Sequence, residues 1–160
     1  MIGDICYYDF SYLNTCKSKW IKNIVLYVVY LIMFVVVNII FYFIENDILY
    51  GVLITFVWFL FLNFSLIFIR NNIIKYKKHY KFYNLLYFGK KHRKILKFVK
   101  DTDLVIIEND LEFNSYVFLD TDGNEIELYI QKSLNKKFEI DKTYYLSTVS
   151  NFIYGGDLHD

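Results

Sequence analysis

The sequence predicts a membrane α-helical hairpin followed by a small all-β cytoplasmic domain, an OB-like or SH3-like barrel. Residues 24–44 and 48–69 carry no charged side chain. At about 1.5 Å per residue, each stretch is long enough to cross a hydrocarbon core of about 30 Å. From about residue 94 onward, polar and apolar residues alternate with a period of two, which is typical of strands with one buried face. Five or six short strands without a long helix favour a small barrel.

These patterns divide the chain into five segments. We predict an interfacial N-terminal segment (1–22), a two-helix transmembrane hairpin (23–69), a basic aromatic juxtamembrane helix (70–93), a small acidic β domain (94–156) and a tail (157–160). Aromatic residues are frequent in the first segment, and aromatic rings favour the headgroup region of a bilayer. We therefore expect five of them to lie at the membrane surface: Tyr7, Tyr8, Phe10, Tyr12 and Trp20.

The two apolar runs lack the polar stripe that a helix at the surface of a soluble globule would show. They are joined by the short acidic connection Glu45, Asn46 and Asp47, so the helices should be antiparallel neighbours. Neither run contains an ionisable group that would indicate a transport or proton path. The polar or bulky residues expected to make interhelix contacts are Asn38, Trp58 and Asn63.

The orientation of the hairpin follows from its flanking cations. Lys17, Lys19 and Lys22 precede the first run, Arg70 follows the second, and the connection contains no Lys or Arg. The positive-inside bias places such flanks in the cytoplasm. We therefore expect a multi-pass protein of the inner (plasma) membrane with both termini in the cytoplasm.

Charge is strongly segregated after the hairpin, although the net charge of the chain is only +1. Residues 70–100 carry eleven Lys or Arg and no acid, whereas residues 101–160 carry four Lys and thirteen Asp or Glu, a balance of −9. A cation close to an anionic leaflet contributes about 1 kcal/mol, so anionic headgroups are an expected partner. The predicted membrane-surface residues are Trp20, Arg70, Lys75, Lys77, Lys78, Lys81, Lys90, Lys91, Arg93 and Lys94.

The basic stretch should continue the second helix. Aromatic or apolar residues recur every three or four positions, which indicates one aromatic helix face, and Gly89 is a suitable helix stop. Two other interpretations stay open: aromatic and basic residues together can bind nucleic acid, or the acidic domain can fold back onto the cations. Because the acidic domain would repel a phosphate backbone, we do not expect nucleic acid as the partner. The predicted face consists of Ile73, Tyr76, Tyr80, Tyr83 and Tyr87.

Within the β domain, the turn Asp120–Asn124 should place Gly123 at positive φ, and Asp141 and Lys142 should form a second tight connection. The predicted strands are 95–99, 104–107, 116–119, 125–130, 138–140, 143–146 and 152–154.

No catalytic, metal-binding or cofactor-binding motif is recognisable, so we expect no enzyme activity, no metal and no cofactor. The carboxylates Glu108, Asp110 and Glu112 alternate with apolar residues, as on a solvated sheet face. Asp120 and Asp122 lack the remaining ligands of a calcium loop. The histidines are scattered, at His79, His92 and His159.

The segments 137–146 (KFEIDKTYYL) and 150–153 (SNFI) resemble the closing strands of β domains in small bacterial membrane proteins. In layout, the chain is similar to the NfeD-like group, which joins membrane helices to a cytoplasmic OB domain. The resemblance covers about 65 residues. It implies the same architecture and assigns no functional residue.

The leading functional hypothesis is a non-enzymatic adaptor or accessory subunit that holds its β domain at the cytoplasmic face to bind another protein. The acidic charge of the domain favours a basic partner. The alternatives are an immunity or defence protein that neutralises a membrane-active toxin, a membrane-associated enzyme, and a nucleic-acid-binding OB module.

Overall fold

The computed structural model describes residues 6–43 and 48–159. These residues form two compact units: a helical unit (Thr15–Lys77) and a β unit (Met1–Asn14 with Lys78–Asp160). The predicted connection at Glu45, Asn46 and Asp47 lies outside the described residues. The elements are α1 (Ser11–Tyr42), α2 (Ile48–Phe68), a π-helical turn (Ile69–Ile74), α3 (Lys75–Phe88), β1 (His92–Glu108), β2 (Leu111–Leu119), β3 (Glu125–Gln131), a 3-10 helix (Lys132–Leu134), β4 (Thr143–Val149) and β5 (Phe152–Leu158).

Two helical stretches, Ser11–Phe41 and Gly51–Phe88, are long and apolar enough to cross a membrane. Large apolar side chains such as Ile32, Val52 and Leu66 are more than half exposed. Exposed apolar surface on this scale is unusual for a soluble protein and marks an interaction with lipid or another protein. The first helix begins at Ser11, well before the uncharged run, so Cys16 lies inside α1 rather than ahead of it.

The helices of the helical unit pack antiparallel along an aromatic seam. Tyr27 stacks on Phe68 with ring centroids 5.9 Å apart, Tyr30 stacks on Phe61 at 5.1 Å, and Phe34 meets the edge of Trp58 at 4.9 Å. In these three pairs, the residue number increases along α1 while the number of its partner decreases along α2, as antiparallel packing requires. Aromatic ring contacts therefore join the two helices.

A side-chain hydrogen bond joins the same two helices. The indole N–H of Trp58 donates to Oδ1 of Asn38 at 3.0 Å, while the Asn38 amide donates to the Phe34 carbonyl of its own helix. Two of the three expected interhelix residues thus bond each other. The third, Asn63, donates to the Phe59 carbonyl of its own helix.

The five strands of the β unit close into a barrel in the order β1-β2-β3-β5-β4. The first residues of β1 pair with β4, and its later residues pair with β2. β3 and β5 are parallel, and the other neighbouring pairs are antiparallel. The predicted turns are present: Gly123 has φ +77°, and Asp141 has φ +65°.

Two details of the strand prediction are wrong: the break between 95–99 and 104–107, and the strand at 138–140. Residues 95–99 and 104–107 belong to the single long strand β1, which bends where its register with β2 shifts between Asp101 and Val105. Residues 138–140 do not form a strand. Phe138 packs instead against the core rings of Phe98 and Phe118, with centroids 5.7 and 5.3 Å away, and this contact explains its apolar character.

The barrel core comes from residues of one strand face. Its buried members are Leu96, Phe98, Tyr116, Phe118, Leu128, Ile130, Tyr144, Leu146 and Ile153. On β1, β3 and β4 these residues all carry even numbers, so the two-residue period of each strand fixes which side chains point inward.

The N-terminal segment packs on the β unit. Cys6 forms a β-bridge with Gly155, and the Tyr7 hydroxyl donates to the Gly156 carbonyl at 2.9 Å. Tyr8 is only 3% exposed and lies edge-on to Phe82, with ring centroids 6.4 Å apart. The headgroup placement predicted for Tyr8 is therefore wrong, because its ring is buried in the β unit, whereas Tyr7 is half-buried. Burial raises the pKa of Tyr7 to about 12.

Helix α3 ends at Phe88, and the N–H of Gly89 donates to the Leu85 carbonyl at 2.7 Å. This hydrogen bond confirms Gly89 as the helix stop. The basic helix therefore ends five residues before the predicted boundary at residue 93. The buried residues of α3 are Phe82, Tyr83 and Leu86, so the buried face shares only Tyr83 with the predicted aromatic face.

Candidate functional site

The β unit contains a groove of about 290 Å³ that combines an apolar floor with polar and cationic groups. We call it the barrel groove. Grooves on the helical unit, such as the one of about 310 Å³ beside Phe34 and Phe61, are lined almost entirely by apolar surface. Convergent polar groups in a concave apolar site are the usual mark of a binding site. The barrel groove is lined by His92, Lys94, Ile126, Leu128, Thr148, Ser150 and Asn151.

The cationic side chain of the groove, Lys94, and its imidazole, His92, lie on the inward face of β1. Leu96 is fully buried in the core, and Lys94 and His92 precede it at the two-residue spacing of one strand face. The pairing of β1 with β4 runs without a register shift from His92 to Lys97. The core face of the strand therefore continues into the groove as a polar face.

The groove exists because neighbouring strands of the barrel do not begin and end side by side. β2 ends at Leu119, opposite Lys97, so the first residues of β1 extend beyond the end of β2. β3 meets β5 at the pair Tyr129 and Phe152. The first half of β3 thus lies before the point where β5 joins the barrel, and its Leu128 forms the buried floor.

The β4–β5 turn supplies the rest of the polar lining. Ser150 has φ +55°, a left-handed conformation that turns the chain sharply toward Asn151. The Asn151 carbonyl accepts a hydrogen bond from the Tyr129 N–H at 2.8 Å, which ties the turn to β3. The hydroxyl of buried Thr148 donates to the His92 carbonyl at 3.4 Å, so the turn and the start of β1 are held together.

The groove has the opposite charge to residues 101–160, which make up most of the β unit. Residues 101–160 are strongly acidic, but the acids of β3, Glu125 and Glu127, alternate with the inward-facing Ile126 and belong to the outer face. Glu127 accepts a hydrogen bond from the buried Ser115 hydroxyl of β2. The groove therefore presents Lys94 and His92 without an acid among its lining residues.

The predicted membrane-surface residues fall into different structural settings. Trp20 is half-buried in α1, and Arg70 lies exposed in the π-helical turn. Lys78 forms an ion pair with Asp110 at 3.4 Å. Arg93 and Lys94 belong to β1 rather than to the basic helix. The remaining members are exposed on α3 or in the segment after it: Lys75, Lys77, Lys81, Lys90 and Lys91.

The carboxylates considered for catalysis do not converge. Glu108, Asp110 and Glu112 are exposed near the turn between β1 and β2. Glu112 forms an ion pair with Lys132 at 3.0 Å, and Asp110 pairs with Lys78. Two of the three thus neutralise surface lysines.

The residues that could hold a metal are also dispersed. His159 stacks on Tyr145 with ring centroids 4.2 Å apart, while His92 lines the barrel groove. Across residues 6–43 and 48–159, no three side chains of His, Cys, Asp or Glu come close enough to bind a metal ion.

No protein-family model matches the chain, and neither a curated protein nor a solved structure matches it. The features of the chain that bear on its function are therefore the helices and the barrel groove.

The sequence pattern does not identify the groove residues. Lys94 is one of the predicted membrane-surface cations, and His92 is one of three scattered histidines. The signal that could have found them is their phase with Leu96 and Phe98. A cation in phase with core residues at the start of a strand is worth testing as part of a site.

Proposed function

We propose that the chain is a membrane-anchored, non-enzymatic binding protein that presents its barrel at the cytoplasmic face of the inner membrane. The observation that carries this proposal is the apolar surface of α1 and α2: none of the most apolar window of α1 is buried within the protein. A surface of this kind is stable in lipid and unstable in water.

The strand order supports an OB-like barrel over an SH3-like one. A long first strand that pairs with both β2 and β4, together with a parallel contact between β3 and β5, fits the five-stranded Greek-key barrel of OB folds. This topology also agrees with the proposed NfeD-like layout. OB barrels are binding modules, and a binding role suits a chain that contains a polar groove.

The proposed orientation depends on the flanking cations. Lys19 lies on α1 with its ammonium 5.5 Å from the ring centroid of Tyr76, so cations and aromatic rings meet at the same end of the hairpin. This combination is typical of the headgroup region on the cytoplasmic side. Anionic lipids would add about 1 kcal/mol for each cation near the surface.

An adaptor role requires a protein partner. The structure supports this role because the groove combines an apolar floor with a few oriented polar groups, as protein-binding pockets do. The balance of −9 over residues 101–160 favours a basic partner elsewhere on the β unit.

The experiment has two stages. Membranes from cells expressing the tagged full chain are washed with alkaline carbonate, and the chain should stay in the pellet. The pellet is then solubilised in mild detergent, and the tagged chain should retain at least one partner that is absent from an unrelated hairpin protein. Release by carbonate would contradict the anchor, and failure to retain a partner at any salt concentration would contradict the adaptor role.

A further inference from the structure

We propose that the barrel groove binds an extended segment of a partner protein in which an acidic side chain stands beside apolar ones. The proposal rests on the adaptor function and names the chemistry of its partner. It differs from the expectation based on net charge, because the groove is cationic although the surrounding segment is acidic.

The backbone of β3 is oriented to receive such a segment. The Tyr129 N–H points toward β5, where it donates to Asn151. Backbone groups alternate sides along a strand, so the N–H and C=O groups of Glu127 and Glu125 face the same side as those of Tyr129. In the described part of the chain, β3 and β5 pair in register at Tyr129 and Phe152 alone. An extended peptide can therefore add to β3 ahead of this pair.

The side chains of the groove complement alternate residues of the bound peptide. Ile126 and Leu128 provide an apolar floor, and Leu128 is only 3% exposed. Lys94 and His92 lie on the opposite wall, on the inward face of β1. A carboxylate can accept charge-assisted hydrogen bonds there, while the apolar side chain two residues along the peptide, which lies on the same strand face, covers the floor. The volume of about 290 Å³ is at the lower end of the usual pocket range, which suits part of a peptide rather than a large ligand.

A peptide fits the groove better than a nucleic acid does. Proteins that bind single strands use aromatic rings on which bases stack, and the residues that line the groove include no Phe, Tyr or Trp. The balance of −9 over residues 101–160 also opposes a long polyanion. A single carboxylate on an otherwise apolar segment meets much less repulsion.

The test uses the full chain in detergent and two fluorescein-labelled, capped pentapeptides: Ala-Glu-Ala-Val-Ala, in which the Glu and the Val lie on the same face of an extended strand, and its Gln analogue. Fluorescence polarisation should show the Glu peptide binding about tenfold more tightly than the Gln peptide, which is the change expected for one charged hydrogen-bonded contact. Lys94→Gln should remove this preference. The matched control is Lys100→Gln, which makes the same charge change at an exposed position of β1 that does not line the groove.

The controls make the proposal falsifiable. Circular dichroism of both variants checks that the barrel is folded, and both positions are exposed, so both variants should fold. Equal binding of the two peptides, or equal effects of Lys94→Gln and Lys100→Gln, would overturn the proposal. Inorganic phosphate that competes as well as the unlabelled Glu peptide would also overturn it, because the groove would then bind a bare oxyanion. Displacement by an equal concentration of single-stranded DNA would point to nucleic acid and overturn it as well.

The two proposals can fail separately. If neither peptide binds while the detergent pull-down still retains a partner, the groove chemistry is wrong and the adaptor role stands. If the Glu peptide binds with the expected preference but no cellular partner is retained, the adaptor role fails while the groove chemistry stands.

Discussion

Replacing Phe82 by Ala should strongly destabilise the β unit. Phe82 is 2% exposed and packs against Phe113 and Phe152, with ring centroids 5.0 and 5.1 Å away. Truncation of a buried Phe to Ala costs about 3–5 kcal/mol. The matched control is Phe88→Ala on the same helix, because Phe88 is 69% exposed and exposed substitutions usually change stability by about 0.5 kcal/mol or less.

Amide hydrogen exchange of the full chain in detergent, read by mass spectrometry, measures the β unit without unfolding the helical unit. A loss of 3–5 kcal/mol corresponds to exchange faster by about 10² to 10⁴-fold in the most protected amides. We expect this increase in peptides from β2 and β5 of Phe82→Ala and little change in Phe88→Ala. Similar exchange in the two variants would refute the assignment of Phe82 as the anchor of α3.

Three further predictions concern single side chains. Trp58→Phe removes the donor to Asn38 and should lower the stability of the helix pair by about 0.6 kcal/mol, and at most about 1.7 kcal/mol; unchanged unfolding in mixed detergent–SDS micelles would contradict it. Because burial raises the pKa of Tyr7 to about 12, from about 10 when unfolded, the unfolded chain loses this proton first, and the stability of the β unit should fall from pH 10 to 12. Tyr7→Phe should flatten that fall in urea titrations, and an unaltered slope would count against the buried hydroxyl. Gly156→Ala would place a Cβ 2.5 Å from the Tyr145 carbonyl oxygen, so thermal unfolding should show a loss of about 1–3 kcal/mol; a variant as stable as the parent would disprove this close contact.

Features set by local pattern were predictable from the sequence. Residues 24–42 and 48–68 of the uncharged runs lie within α1 and α2, because helix formation satisfies every backbone group of an apolar segment. Gly89 stops α3, and Gly123 has the positive φ that its turn requires, because glycine tolerates conformations that other residues avoid. These outcomes depend on residues close together in sequence.

Features set by distant contacts were not predictable. Tyr8 is buried by packing against Phe82, more than seventy residues away in the sequence. An aromatic segment that precedes an apolar run has the same sequence pattern whether it packs on lipid or on protein. The polar stretch around Asp103 resembles a loop between two strands, but it is a bend within β1.

The barrel groove was not predictable either, because it also depends on contacts between residues distant in sequence. The alternation of polar and apolar residues along β3 predicts one buried face, but it could not show that β2 and β5 leave a gap beside Lys94. The cationic lining of the groove depends on where neighbouring strands end, and local sequence does not encode that property directly.

The measurement that tests the membrane hairpin most directly is labelling of cysteines in intact cells with a membrane-impermeant maleimide. The reporter is Asn46→Cys in the connection, and the internal control is Cys6, which is exposed in the β unit. We expect the reporter to be labelled in intact cells and Cys6 to be labelled only after the membrane is opened. Labelling of Cys6 in intact cells, or protection of the reporter there, would contradict the proposed topology.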